Sequence, residues 1–304
     1  MQIFEFNLQF FIKNLHFLND NRIDTAYKYC ENLAKNHYEN FPVASLLFPE
    51  SKRKYIYAIY AFARTADDIA DSEKFTSREK IEKLNLFELV LNKNDISLID
   101  NNNNYSNVFT ALFDTIEKFK IPRVEFLNLL SAFKQDAVKD RYNNFNELLQ
   151  YSKFSANPIG HLVLVISGYK SEDLFRMSDC ICTGLQLINF WQDVKKDLEI
   201  NRIYIPEDIM RKYNYDEYLL SNNAENEDFI KMMKELVDKT YDIFKGGFDL
   251  KNHLNGRLKY EFKAIVTAGM YILNNIKKLN YKVLTNDISV SNINKLTILL
   301  KAIL

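Results

Sequence analysis

Tyr60-Ala-Phe-Ala-Arg-Thr-Ala-Asp-Asp-Ile-Ala-Asp71 and, about 125 residues later, Gln186-Leu-Ile-Asn-Phe-Trp-Gln-Asp-Val-Lys-Lys-Asp197 decide how this chain is read. Each has the pattern of a helix that carries aspartates four apart. At about 100° per residue, Asp67 and Asp71 leave one face of the first helix with Asp68 beside them, and Asp193 and Asp197 do the same on the second. Each acidic stripe repels itself unless a cation neutralises it. Two such stripes facing one another across a cleft would make a site of hard oxygens suited to Mg²⁺, which takes a few carboxylates and completes its octahedron with water and phosphate. A solvated helix face is the better account of one Asp-x-x-x-Asp on its own, so the neighbouring residues decide.

On the first helix Tyr60, Arg64, Asp67, Asp68 and Asp71 recur at spacings of three and four, so a phenol, a guanidinium and carboxylates share a stripe. Arg64 is able to grip a phosphate bidentately or to pair with Asp68 at i+4. On the second helix Gln186, Asn189, Asp193 and Asp197 form a polar seam between Leu185, Leu187, Ile188, Phe190 and Trp191. Buried amides need partners, and that seam points to a ligand. Trp191 lies off the seam and is assigned to the core. Asp136 and Asp140 make a third pair, but Lys139 and Arg141 surround them, and a surface ion-pair face is expected there.

Composition narrows the fold. Only 7 Gly and 5 Pro interrupt 304 residues that are 47% hydrophobic, and the apolar residues recur with helical period, which predicts an all-α chain. No Pro- or Gly-rich linker divides it, so one domain is expected. Helices are expected from Asp24 or Thr25 to about 37, from about 50 to 71, 77 to 92, 106 to 119, 122 to 141 and 145 to 155. A kinked helix around Pro158 should follow, then one from 172 to about 199 and others at about 225 to 245, 255 to 279 and 291 to 303. The run Asn92 to Asn104 is the clearest loop.

Forty basic and forty acidic residues leave no net charge and no electrostatic footprint for nucleic acid. Cys30, Cys180 and Cys182 are too few for a disulfide framework and suit a reducing compartment. His16, His37, His161 and His253 lack metal-ligand spacing, and no Gly-rich phosphate loop, dinucleotide fingerprint or nucleophile elbow occurs. No apolar run reaches the ~18 residues of a membrane span. The expected location is the cytoplasm, with peripheral membrane contact through Phe4, Phe6, Phe10, Phe11 and Phe17 of an appended segment, residues 1–22, or through the tail Leu296–Leu304 as the alternative to core packing.

These residues resemble the two signatures of the squalene and phytoene synthase family, the second extended by Arg202-Ile-Tyr204, and the likeness runs from about Tyr27 to the end of the chain. The resemblance implies an isoprenoid synthase-type helical bundle around a central cleft, formed by residues 23–304. It also implies Mg²⁺ ligation by Asp67, Asp71, Asp193 and Asp197, assisted by Asn189, and diphosphate binding by Arg64, Gln186, Arg202 and Tyr204. Phe41-Pro-Val-Ala-Ser45, Ala132-Phe-Lys-Gln-Asp136, Ser155-Ala-Asn-Pro-Ile-Gly160 and Asn189-Phe-Trp-Gln-Asp193 resemble the hopanoid-pathway branch. That branch converts presqualene diphosphate and water to hydroxysqualene and diphosphate. Contact with other squalene-pathway enzymes is a partner that the resemblance allows. Asn40-Phe41-Pro42 and Gln192 stand where condensing members carry Ser-Phe-Ser and often Arg. The lost hydroxyl and cation favour ionising one diphosphate over joining two. A head-to-head prenyl transferase and a non-enzymatic assembly factor are the alternatives, the second weakened because both aspartate pairs are intact. The catalytic water needs a polar anchor, for which Asn157 is expected, with Tyr60 and Gln192 as alternatives. The 23 Phe and 18 Tyr offer faces for cation–π stabilisation.

Overall fold

A computed structural model describes residues 21–36, 49–99, 104–286 and 288. All regular structure among them is helical, as expected. By its contacts the chain falls into two compact units, one ending at Arg123 and the other beginning at Val124.

The first unit contains α1 (21–36), α2 (Glu50–Asp71), α3 (Ser77–Lys93) and α4 (Tyr105–Phe119). Helix α1 starts earlier than the expected caps at Asp24 and Thr25. The Thr25 hydroxyl donates back to the Asn21 carbonyl, so it continues the helix rather than starting it. In α2, Ile56, Ile59, Phe62, Ala66 and Ile69 recur every three or four residues and are buried, leaving Arg64, Asp67, Asp68 and Asp71 on the less buried side. Phe62, Phe87 and Phe109 bring α2, α3 and α4 together, and the Phe109 ring meets the other two edge-on at 5.7 and 5.0 Å. Thr76 and Glu79 cap α3 reciprocally. Tyr27 of α1 donates to Asp114 of α4 at 2.6 Å.

The second unit contains α5 (Val124–Asp136), α6 (Phe145–Ser155), α7 (Asn157–Ser167), α8 (Glu172–Gln192), α9 (Val194–Glu199), α10 (Glu207–Lys212), α11 (Glu217–Ser221), α12 (Glu227–Lys245), α13 (Leu250–His253) and α14 (Gly256–Lys278). Helix α8 is its axis and packs against α6, α7, α9, α12, α13 and α14. Two glycines permit this. A Cβ on Gly160 of α7 would meet Cys182 Sγ at 2.6 Å, and one on Gly184 of α8 would meet the Phe244 ring at the same distance. Trp191 is fully buried and donates to Thr240 of α12 at 2.8 Å, in the core position expected for it.

Besides the earlier start of α1, three boundaries differ from those the sequence predicts. The helix expected to reach 199 breaks at Asp193, whose ψ of 15° turns the chain before α9. Asp is favoured at such junctions, and the hydrogen-bond chain survives the turn: Asp193 N–H binds Asn189 O, and Asp197 N–H binds Asp193 O. Pro158 starts a helix rather than kinking one. It occupies the first turn of α7, where its missing N–H would have had no intrahelical acceptor. Helix α5 stops at Asp136 instead of 141, because the carbonyls of Asp140 and Tyr142 bind the N–H groups of Ile203 and Glu207. The short helices α10, α11 and α13 were not expected, being too brief for periodicity to reveal. The N-terminal aromatic segment to residue 20, Asn40-Phe41-Pro42 and the tail from 289 lie outside the described residues.

Candidate active site

Helix α2 presents its stripe as the spacing predicted. Arg64 Nη2 holds Asp68 at 2.7 Å, and Nη1 lies 3.4 Å from Asp67. The Arg64 Nε is buried and has no hydrogen-bond partner, so the guanidinium keeps a donor in reserve. Tyr60, one turn before, is half-buried. Burial raises its hydroxyl above the ordinary range against the lowering pull of Arg64, with Asp68 and Asp67 adding to the rise. Asp67 is half-buried and Asp71 exposed.

In the second unit the site is made by the end of α8, by α9 and by the segment after it. Gln186 and Asp193 are half-buried and Asn189 is exposed. Lys196 pairs with Asp193 at 2.7 Å. The break at Asp193 leaves Asp197 on a separate short helix, where burial and the nearby Asp193 push its carboxyl up to about 7, against Arg202 and Lys196. Asp197 is thus left with less neutralising charge around it than its burial demands. Among the described residues no group of three or more Asp, Glu, His or Cys could hold a metal ion. Each Asp-x-x-x-Asp pair supplies two hard oxygens, and this donor set fits Mg²⁺, which is typically bound by one or two carboxylates with substrate phosphate and water completing its shell.

The segment 201–208 is fixed by backbone bonds. Arg202 N–H binds Asp197 O at 2.8 Å, and Ile203, Glu207 and Asp208 bind Asp140, Tyr142 and Asn143. Arg202 and Tyr204 therefore line one small cavity with Asp197, Phe190 and Val194. The Tyr204 ring stacks on Phe190 at 3.9 Å and 12°, and on Tyr142 at 5.5 Å. Burial and the charge of Asp136 raise the Tyr204 hydroxyl, while Arg202 opposes the shift.

Asp136 corrects the expectation of a surface ion-pair face. It is half-buried, accepts the Tyr151 hydroxyl at 2.9 Å and shares the electrostatics of Tyr142 and Tyr204. The cations that seemed to surround it turn elsewhere: Lys139 pairs with Glu147, and Arg141 with Glu217 and the Asn201 carbonyl. Only Asp140 is exposed beside Arg141, as expected. The Asp-x-x-x-Asp spacing was the available signal for Asp136, but the destinations of Lys139 and Arg141 are tertiary facts.

Of the candidates for holding water, Asn157 is 7% exposed, and its Oδ1 accepts the Thr183 hydroxyl of α8 at 2.9 Å. Thr183 was missed, since a lone Thr in an apolar helix carries no sequence signal. Gln192 is the half-buried last residue of α8.

Comparisons with known proteins agree with this architecture. The family model for squalene/phytoene synthase matches residues 34–294. A hydroxysqualene synthase of Sinorhizobium fredii is 32% identical over 246 residues, 80% of this chain and 81% of that one. A hydroxysqualene synthase of Zymomonas mobilis is 38% identical over 175 residues, 57% and 56% of the two chains. Among solved structures, squalene synthase HpnC of Alicyclobacillus acidocaldarius is similar, with a TM-score of 0.78 at 29% identity, covering 85% of this chain and 95% of that one. A dehydrosqualene synthase in complex with ligand has the same TM-score at 20% identity, with 93% and 97% covered, a likeness of fold. With both aspartate pairs in place and a family model spanning most of its length, the chain belongs to the squalene/phytoene synthase family.

Proposed function

We propose that the chain is a hydroxysqualene synthase, which converts presqualene diphosphate and water to hydroxysqualene and diphosphate. The observation that carries this is the identity, 32 to 38%, to relatives of that name, in a chain that keeps the acidic pairs, Arg64 and Arg202.

Arg64 and Arg202 grip the diphosphate through their guanidinium groups. Gln186 and Tyr204 orient it, the Tyr204 ring being fixed by its stacking on Phe190. Asp67, Asp71, Asp193 and Asp197, with Asn189, would hold Mg²⁺. When bound, the ion supplies charge to the departing diphosphate, adding to what the arginines provide. Loss of diphosphate leaves a cyclopropylcarbinyl cation, which rearranges in apolar surroundings before water captures it. Gln192, in place of a second cation near the acidic seam, suits an enzyme that ionises one diphosphate. Among the described residues no helix is long and apolar enough to cross a membrane.

Incubating the protein with Mg²⁺ and either presqualene diphosphate or farnesyl diphosphate, without a reductant, tests the assignment. Hydroxysqualene from the first and nothing from the second is the expected result. Presqualene diphosphate made from farnesyl diphosphate would refute it in favour of head-to-head condensation. No turnover and no Mg²⁺-dependent binding would favour a non-enzymatic role.

A further inference from the structure

The junction between α6 and α7 gathers a buried hydroxyl that no described residue satisfies, a buried asparagine and a proline. Ser155, the last residue of α6, has a buried hydroxyl without a hydrogen-bond partner among the described residues. Two residues on, Asn157 is 7% exposed. Its Oδ1 is committed to Thr183, while its amide nitrogen bonds to no described residue. Pro158 has no N–H to offer the carbonyl of Phe154 one turn earlier. Around the junction Ala156 N–H binds Ser152 O and Ile159 N–H binds Ala156 O. A buried hydroxyl left unpaired is costly, and such groups are ordinarily satisfied by an ordered water, which needs two to four polar partners.

We propose that Ser155, Asn157 and the Phe154 carbonyl hold the water that captures the substrate cation; this rests on the function proposed above. The water donates its two hydrogens to Ser155 Oγ and Phe154 O and accepts one from Asn157. Its remaining lone pair faces the reacting carbon. Thr183 fixes the amide so that nitrogen, not oxygen, points to the water. Thr183 precedes Asp193 by ten residues, about 15 Å of helix, which places the water beside the carbon skeleton rather than among the phosphates. The C–O bond to diphosphate breaks with its electron pair on the phosphate oxygen. After rearrangement a water lone pair forms the new C–O bond, and the proton it sheds is released to solvent. No oxidant or reductant takes part.

The test measures hydroxysqualene formed per diphosphate released, in the full chain with Mg²⁺ and presqualene diphosphate. Ser155→Ala and Asn157→Ala lower this ratio about tenfold, the cation being diverted to hydrocarbons by proton loss or to alcohols hydroxylated elsewhere. Ser155→Thr and Ser155→Val have the same shape and differ only in the hydroxyl, so packing loss affects them alike. Thr keeps the ratio within about twofold of the parent, and Val does not. Equal ratios in the Thr and Val variants, or an unchanged ratio in both alanine variants, would overturn the water site while leaving the proposed function standing. A parent protein that releases no diphosphate from presqualene diphosphate would overturn both.

Discussion

Glu261 on α14 is 3% exposed, its Oε2 meets no hydrogen-bond partner, and burial alone pushes its carboxyl from 4.5 up to about 8. An acid whose folded value lies above its unfolded one opposes folding once it must ionise. The folded protein binds the extra proton, so stability is full below pH 4.5, falls as pH rises, and reaches its lowest contribution above pH 8. At 1.36 kcal/mol per pH unit, the loss is about 3 kcal/mol at pH 7 and about 5 kcal/mol above pH 8. Glu261→Gln keeps shape and polarity but cannot ionise. Urea denaturation of parent and variant from pH 4.5 to 8.5 should therefore give free energies that are similar at the acid end and diverge steadily, the variant becoming more stable by about 3 kcal/mol at pH 7. Parallel curves would refute the claim that a buried, unpaired carboxyl is being ionised. A parent that gained on the variant as pH rose would show that Glu261 is paired with a cation.

His161 should also lose stability as pH rises, but by giving up a favourable interaction rather than by paying a burial cost. Burial lowers its value, but bonds to Asp179 and Glu125 at 2.8 and 3.0 Å outweigh it and carry the imidazole to about 9. The stabilisation is complete below pH 6.5 and lost as pH rises through 9; comparing His161→Phe with the parent by denaturation should show a difference that shrinks by up to about 3 kcal/mol across that interval. Asp67→Asn and Asp193→Asn should each abolish turnover of presqualene diphosphate with an unchanged circular dichroism spectrum, and near-normal turnover in either would remove that residue from the cation site. Arg202→Lys keeps the charge but loses the fork, so KM for presqualene diphosphate should rise by about tenfold or more; an unchanged KM would show that Arg202 does not touch the diphosphate. Trp191→Ala should destabilise by about 3–5 kcal/mol, since it leaves a cavity and removes the donor to Thr240, and a change below 1 kcal/mol would contradict its place in the core.

Periodicity was enough to locate α2, α3, α4, α6, α12 and α14 to within a few residues, because their apolar stripes are long and repeat every three or four positions. The same rule placed Tyr60, Arg64, Asp67 and Asp71 on one stripe of α2, since side chains on a continuous helix have directions fixed by local geometry. It also identified Gln186, Asn189 and Asp193 as a seam on α8. It failed where distant segments compete for the backbone. The turn at Asp193 puts Asp197 on a helix of its own, and the carbonyls of Asp140 and Tyr142 serve residues 203 to 207 instead of extending α5.

The identity of the acidic pairs, the all-helical class and the family likeness are thus properties of the sequence, being set by residue type and spacing along single helices. The tertiary structure alone decided which charges are neutralised. Lys139 and Arg141 flank Asp136 in the sequence, but packing sends them to Glu147 and Glu217, while Asp136 accepts the Tyr151 hydroxyl. Burial likewise sets Asp197 apart from Asp193 and singles out Glu261 and the Ser155 hydroxyl, two groups unremarkable in the sequence, because the cost of an unsatisfied polar atom depends on what surrounds it and not on its neighbours along the chain.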